Sequence, residues 1–167
     1  MEKTIYMKYI IARYNEDIGW SDGLDRFVVQ KGEQLPNVGR EPASYFWYIL
    51  NFYDELEGEY TFCQGDPIFH EKDFLTNPKK YFGEWRTSSG NGSPDHTGLP
   101  IAQIAQYLGI TEDTFRFKRG AQFSLTADEI RSHDKAFYLK LYAVSMMNND
   151  MPYVLERLWP YIFPCLQ

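Results

Sequence analysis

The run Ile5 to Tyr14, IYMKYIIARY, constrains the fold more than any other stretch. Its β-branched and aromatic residues, with few polar interruptions, describe a strand buried on both faces, as in the interior of a parallel sheet covered by helices. The next fifty residues fit such a sheet. Arg26 to Lys31, RFVVQK, reads as a second short strand, and Gly32 to Pro36 leads into the polar turn Asn37-Val38-Gly39-Arg40-Glu41. Tyr45, Ile49, Phe52 and Leu56, with Phe46 and Tyr53 alongside, form the apolar stripe of a helix over 44–56. Glu57-Gly58-Glu59 stops it, and Tyr60 to Cys63 is a short strand that emerges at Gln64-Gly65-Asp66-Pro67. A strand-helix-strand step implies a right-handed parallel crossover. The expected fold is therefore α/β, a mixed, mainly parallel sheet flanked by helices with a helical C-terminal part, in one domain over 1–167.

From Glu71 to Gly98 the periodicity fails. Asn77-Pro78, Gly83, the Ser88 to Pro94 run and Asp95-His96 break any pattern, so 71–98 reads as a long loop or lid inside the domain, with Trp85, Arg86 and His96 as its notable residues. Leu99 to Leu108 is a short helix with Pro100 near its start and Gly109 past its end. Thr114 to Lys118 and Ala121 to Leu125 are strand-like. Thr126 and Glu129 form a capping box at the start of a helix, and Phe137, Leu141 and Val144 mark a longer one. Asp150 is a candidate N-cap for the last helix, with Val154, Leu155, Leu158 and Trp159 on its packed side and Pro160 expected to end or kink it.

Composition narrows the function classes. A net charge of −6 spread along the chain argues against nucleic acid, which needs a basic stripe. Aromatic residues make up 17% of the chain, which calls for a core of packed rings or a cleft lined with them. Trp47, Trp85 and Trp159 are expected in the core. The two cysteines, Cys63 and Cys165, are too few and too far apart for a disulfide framework or a zinc site and read as buried thiols. With no signal-peptide pattern and no apolar run of membrane-spanning length, the expectation is a soluble, cytoplasmic protein.

Polar turns at the ends of predicted strands carry the candidate chemistry, because ligands bind at the carboxyl ends of strands in open α/β sheets. Arg13, Tyr14, Asn15, Glu16 and Asp17 follow the first strand; Gln64 and Asp66 follow the third; Arg40 and Glu41 open the helix between. Each has a structural alternative. Arg40 and Glu41 can be a salt-bridged helix start with Glu41 at the positive end of the helix dipole. Asp66 before a proline is a common turn residue, and Glu156-Arg157 reads most simply as an ion pair facing away from the core.

The motifs IIARYNEDIGW, LPNVGREPASYFWYI, FCQGDPIFH, GAQFSLTADEIR and YVLERLWPYIF, in this order and spacing, resemble a family of domains of unknown function from bacteria, fungi and large viruses. That family is itself similar to glycosyltransferases of the GT-A fold. The resemblance implies a Rossmann-like nucleotide-sugar domain in which Arg13, Tyr14, Asn15, Glu16, Arg40 and Gln64 contact the donor. Gln64-Gly65-Asp66 falls where such enzymes carry Asp-x-Asp, with Gln64 replacing the first aspartate. Asp66, with His70, is then the candidate ligand set for Mn²⁺ or Mg²⁺, ions that take one or two carboxylates plus phosphate oxygens. Asp66, Glu41 and Glu156 are the candidate catalytic carboxylates. Either a metal ion or Arg40 can neutralise the leaving diphosphate. The implied partners are a nucleotide-diphospho-sugar donor and a glycan acceptor. The alternatives are a non-catalytic nucleotide- or glycan-binding module of the same fold, and a scaffold or interaction protein.

Overall fold

The computed structural model of the chain describes residues 6–167, so Ile5 lies outside the described residues. β1 (Met7–Arg13) is an interior strand with Ile10 and Ile11 buried on opposite faces. It pairs in parallel with β2 (Arg26–Gln30) on one side and β3 (Glu59–Gln64) on the other. The strand-helix-strand step is α1 (Arg40–Phe52), which begins ahead of the expected Ser44 and buries Tyr45, Phe46, Tyr48 and Ile49 against the sheet. The opposite face carries a smaller cluster of Ile11, Cys63, Phe74 and Phe82, covered by Trp20 from the segment after β1 and Ile68 from the short helix after β3. Cys63 is buried as expected; Cys165 is exposed, because only Leu166 of the final turn packs inward.

A fourth strand, β8 (Phe123–Thr126), runs antiparallel to β3, giving the order β2-β1-β3-β8. Parallel pairing is thus confined to β1, β2 and β3. The expected 71–98 loop carries three short strands between turns. It touches β8 through a bridge from Tyr81 to Phe123, then forms β4 (Trp85–Ser89), β5 (Gly92–Ser93) and β6 (His96–Thr97). With β7 (Thr114–Lys118) these make a second, wholly antiparallel sheet in the order β6-β5-β4-β7. The fold is a mixed α/β domain with a partly parallel sheet flanked by helices.

Between β6 and β7 lies α3 (Ile101–Tyr107). After β8 the chain is helical: α4 (Ala127–Arg131), α5 (Lys135–Ser145) and α6 (Met151–Ile162). Both bonds of the Thr126–Glu129 capping box are formed. Asp150 occupies the N-cap position of α6 without a side-chain cap bond, and the helix runs through Pro160 to Ile162 rather than ending there. No helix among the described residues is long and apolar enough to cross a membrane.

Rings knit these layers together. Phe123 of β8 lies 4.8 Å from Trp159 of α6, and 5.7 Å from both Tyr45 of α1 and Phe62 of β3, centroid to centroid. Trp159 is fully buried as expected and Trp47 partly so, whereas Trp85 is 40% exposed, with the Arg116 guanidinium 4.6 Å from its ring centre. Deleting a buried ring costs its transfer free energy plus a cavity. Phe123→Ala is therefore expected to lose about 3–5 kcal/mol in urea denaturation, while Trp85→Ala, on the surface, should stay within about 1 kcal/mol of the wild type.

Candidate functional site

The carboxyl ends of β1, β2 and β3, the 119–121 loop that leads into β8, and the first turns of α1 and α6 converge on one edge of the parallel sheet. The end of β3, the 119–121 loop and the first turns of α1 and α6 line a cavity of about 310 Å³ whose polar residues include Arg40, Glu41, Gln64, His70, Arg119 and Glu156. A second cavity of about 160 Å³, lined by Arg13, Tyr14, Glu16 and Lys31, adjoins the first, with Arg40 and Glu41 lining both.

The backbone is bent to build this edge. Arg40 (φ 45°) and Ala121 (φ 50°) are the non-glycine residues with left-handed backbone among the described residues, and both line the larger cavity. Such conformations cost on the order of 1–3 kcal/mol each and cluster at functional sites. Gly39, at φ 73°, makes the sharp entry to α1 possible: a β-carbon there would lie 2.6 Å from that of Ala43 and 2.8 Å from the Ser145 carbonyl oxygen. Ala121 is held by the buried Tyr45 hydroxyl, which donates to its carbonyl at 2.7 Å, and the Gly120 amide donates to the Glu156 carboxylate at 3.1 Å. The Arg40 side chain is fixed too, donating from Nη1 to the Tyr153 hydroxyl at 2.7 Å, with Nε 3.7 Å from Glu41. On the Tyr153 ring lies His96 of β6, stacked at 4.1 Å.

Three groups are electrostatically displaced. Burial pushes the Glu156 carboxyl above the ordinary carboxylate range, a rise that Glu41 reinforces and that the Gly120 amide and Arg157 only partly oppose. Arg157 does not face away from the core. It is buried, donates to the Tyr153 carbonyl and the Ser93 hydroxyl at 2.8 and 2.9 Å, rests on the Phe117 ring, and lies 3.5 Å from Glu156, with its Nε unpartnered. The expected ion pair exists, but it points inward because the hairpin of the second sheet covers it. Burial and the charges of Arg157 and Arg119 lower the His96 ring below the usual histidine range. Lys31, like Arg119 and Tyr153, is a site residue absent from the sequence candidates. It is 6% exposed, donates to the Val38 carbonyl at 2.6 Å, and burial lowers its ammonium to about 8. A signal existed: Val29 and Lys31 share one face of an alternating strand, and Val29 is an inward residue.

Of the sequence candidates, Arg40, Glu41, Gln64, His70 and Glu156 line the larger cavity, and Arg13, Tyr14 and Glu16 the smaller. Asn15 and Asp66 are exposed and line neither. The Asp66 carboxylate accepts from the Phe69 amide at 3.3 Å and so caps the short helix α2 (Pro67–His70). Gly65 admits the Glu16 side chain: a β-carbon there would lie 2.8 Å from that carboxylate, whose Oε2 accepts from the Tyr14 and Asn15 amides. No group of three or more His, Cys, Asp or Glu side chains is gathered for a metal among the described residues. Asp66 engages one carboxylate oxygen in the cap of α2 and is exposed, and His70 lies at the other end of the same short helix. No family model, curated protein or solved structure matches the chain.

A carboxyl raised in the folded state disfavours its charged form there, so its contribution to stability falls as pH rises from the ordinary carboxylate range through its folded pKa. Glu156→Gln keeps an acceptor for the Gly120 amide and removes that charge. It is expected to raise Tm by a few degrees at pH 7 and by less at pH 4 in parallel melts; a loss at pH 7 that is no smaller at pH 4 would contradict the assignment.

Proposed function

We propose that the cleft binds a nucleotide sugar and that the protein is a glycosyltransferase-like enzyme of the GT-A type. The observation that carries the reading is the placement of a strained, side-chain-fixed Arg40 and a largely buried, raised Glu156 on one cavity at the carboxyl ends of parallel strands. Transfer needs the leaving diphosphate neutralised and the acceptor hydroxyl deprotonated. Arg40, at the N-terminal turn of α1, presents a guanidinium suited to paired phosphate oxygens, and Arg119 on the same cavity wall is 47% exposed and pairs with Asp95 at 3.1 Å. Glu156 takes the proton: the acceptor oxygen attacks the anomeric carbon, the bond to the diphosphate breaks with its electron pair leaving on the phosphate, and the hydroxyl proton passes to the carboxylate. A carboxyl raised above its ordinary range is the stronger base for that exchange. Gln64 and His70 offer hydrogen bonds to the sugar hydroxyls.

A second reading, a nucleotide-sugar-binding module without turnover, is favoured by Gln64 at the first position of the Asp-x-Asp pattern and by the Asp66 Oδ1 bond to the Phe69 amide, which leave one carboxylate there and turn one of its oxygens to a cap. Turnover assays on the same samples separate the two.

Thermal-shift titration with uridine, guanosine, cytidine and thymidine diphospho-sugars tests both. A donor at 100 times its Kd adds about 2.7 kcal/mol, a shift of several degrees for a chain of this size. Arg40→Ala is expected to abolish the shift with or without Mn²⁺. Asp66→Asn, which preserves the cap, is expected to keep it; no shift with any donor would overturn both readings.

A further inference from the structure

The smaller cavity holds an arrangement that the transfer chemistry above does not use. Lys31 sits at the end of β2 with its ammonium buried, and of its three N–H donors one is met, by the Val38 carbonyl. Arg13, at the end of β1, spends two of its five donors, Nε on the Glu16 carbonyl at 2.8 Å and Nη1 on Gln30 Oε1 at 2.6 Å. Arg40 reaches the same cavity from α1. Three cations therefore face two carboxylates, and both carboxylates are already engaged: Glu16 by the Tyr14 and Asn15 amides, Glu41 by Arg40. A cation entering here would meet a buried ammonium. An anion with several oxygens meets unspent donors from three different elements.

We propose that this cavity is a phosphate subsite, in which Lys31, Arg13 and Arg40 hold one phosphate of a diphosphate whose remainder extends into the larger cavity. The assignment rests on the nucleotide-sugar reading only for the source of that phosphate; the donors are there for any diphosphate. Arg40 is shared by both cavities and so contacts both phosphates. Keeping the Lys31 ammonium charged without a ligand is costly, and burial is what draws it down to about 8, with Arg40 adding to the effect and Glu41 and Glu16 opposing it. Arg13 and the Tyr14 hydroxyl are the other titratable groups on the cavity wall. An anion between Lys31 and the two arginines stabilises the ammonium form, so ligand binding and protonation of Lys31 must be linked. Because pyrophosphate gains rather than loses charge as pH rises, an affinity that falls from pH 7 to pH 9.5 reports the protein group and not the ligand.

The test uses pyrophosphate as the probe, with the full chain carrying lysines isotopically labelled at the side-chain nitrogen. The expected result is a Lys31 resonance that titrates near 8 in the free protein and at a higher pH with pyrophosphate, and calorimetric affinity at least tenfold weaker in Lys31→Met. Uridine diphosphate binding tenfold or more tighter than pyrophosphate assigns the phosphate to a nucleotide; equal affinities assign it to free pyrophosphate. Pyrophosphate that fails to bind, or that binds without moving the Lys31 titration, overturns the subsite. Should Lys31→Met fail to fold, the wild-type titration decides alone. Nucleotide-sugar binding with an unmoved Lys31 overturns the subsite and spares the donor reading, whereas pyrophosphate binding at Lys31 without any nucleotide-sugar response does the reverse.

Discussion

The packing of Phe123 against Trp159 is the contact on which the cleft depends. Phe123 opens β8 and pairs in register with Phe62 of β3, while Trp159 belongs to α6, and their rings meet 4.8 Å apart between the sheet and the C-terminal helices. With Tyr45 and Phe46, which also pack on Trp159, this contact seats α6 against the sheet edge. The 119–121 loop enters β8 just before Phe123, and Glu156 lies one helical turn before Trp159, so seating the two rings brings the Gly120 amide and the Glu156 carboxylate within 3.1 Å. Tyr45 packs on the same cluster, 5.7 Å from Phe123, and its hydroxyl holds the strained Ala121 from the other side. Apolar burial thus supplies the energy that keeps a polar, strained rim in place.

The second sheet plays a different part. Its hairpin lays Ser93 over the Arg157 guanidinium and His96 over Tyr153, converting what would be a solvated helix face into the wall of a cavity. Burying an arginine is costly unless its donors are met. Here the Tyr153 carbonyl, Ser93, Glu156 and the Phe117 ring meet most of that demand, and one Nε remains unpartnered. Burial and the positive charge behind the wall depress His96, while burial and Glu41 raise Glu156. Opposed shifts of this kind occur both at functional sites and in buried ion-pair networks such as the Arg157–Glu156 pair.

The parallel part of the fold is legible in the sequence because its signals are local. Apolar residues on both faces of β1, the i, i+4 stripe of α1 and the Thr126–Glu129 box each follow from short-range pattern, and each is present. The second sheet is not legible: β4 reads WRTSS, buries only Ser88, and gains its place from pairing with β7 rather than from its own hydrophobicity. The inward turn of Arg157 is hidden for the same reason, since its cover comes from a distant hairpin. Turns at strand ends point to Arg40, Glu41, Gln64 and Glu16 as residues of one edge, where they lie. They also point to Asp66 as a ligand, yet its carboxylate turns back to cap α2, a local competition that side chains next to helix starts commonly win. Lys31 is masked by its neighbours, Gly32 and Glu33, which make the end of β2 look like a solvated turn.

The polar edge at the carboxyl ends of β1, β2 and β3 is, on this account, where the protein meets an anionic ligand. Amide chemical-shift mapping of the labelled protein on titration with uridine diphosphate tests that claim most directly. The largest shifts are expected at Tyr14, Asn15, Arg40, Gly65 and Gly120. Shifts gathered instead around Trp85 and Arg116, or none at millimolar ligand, would contradict it.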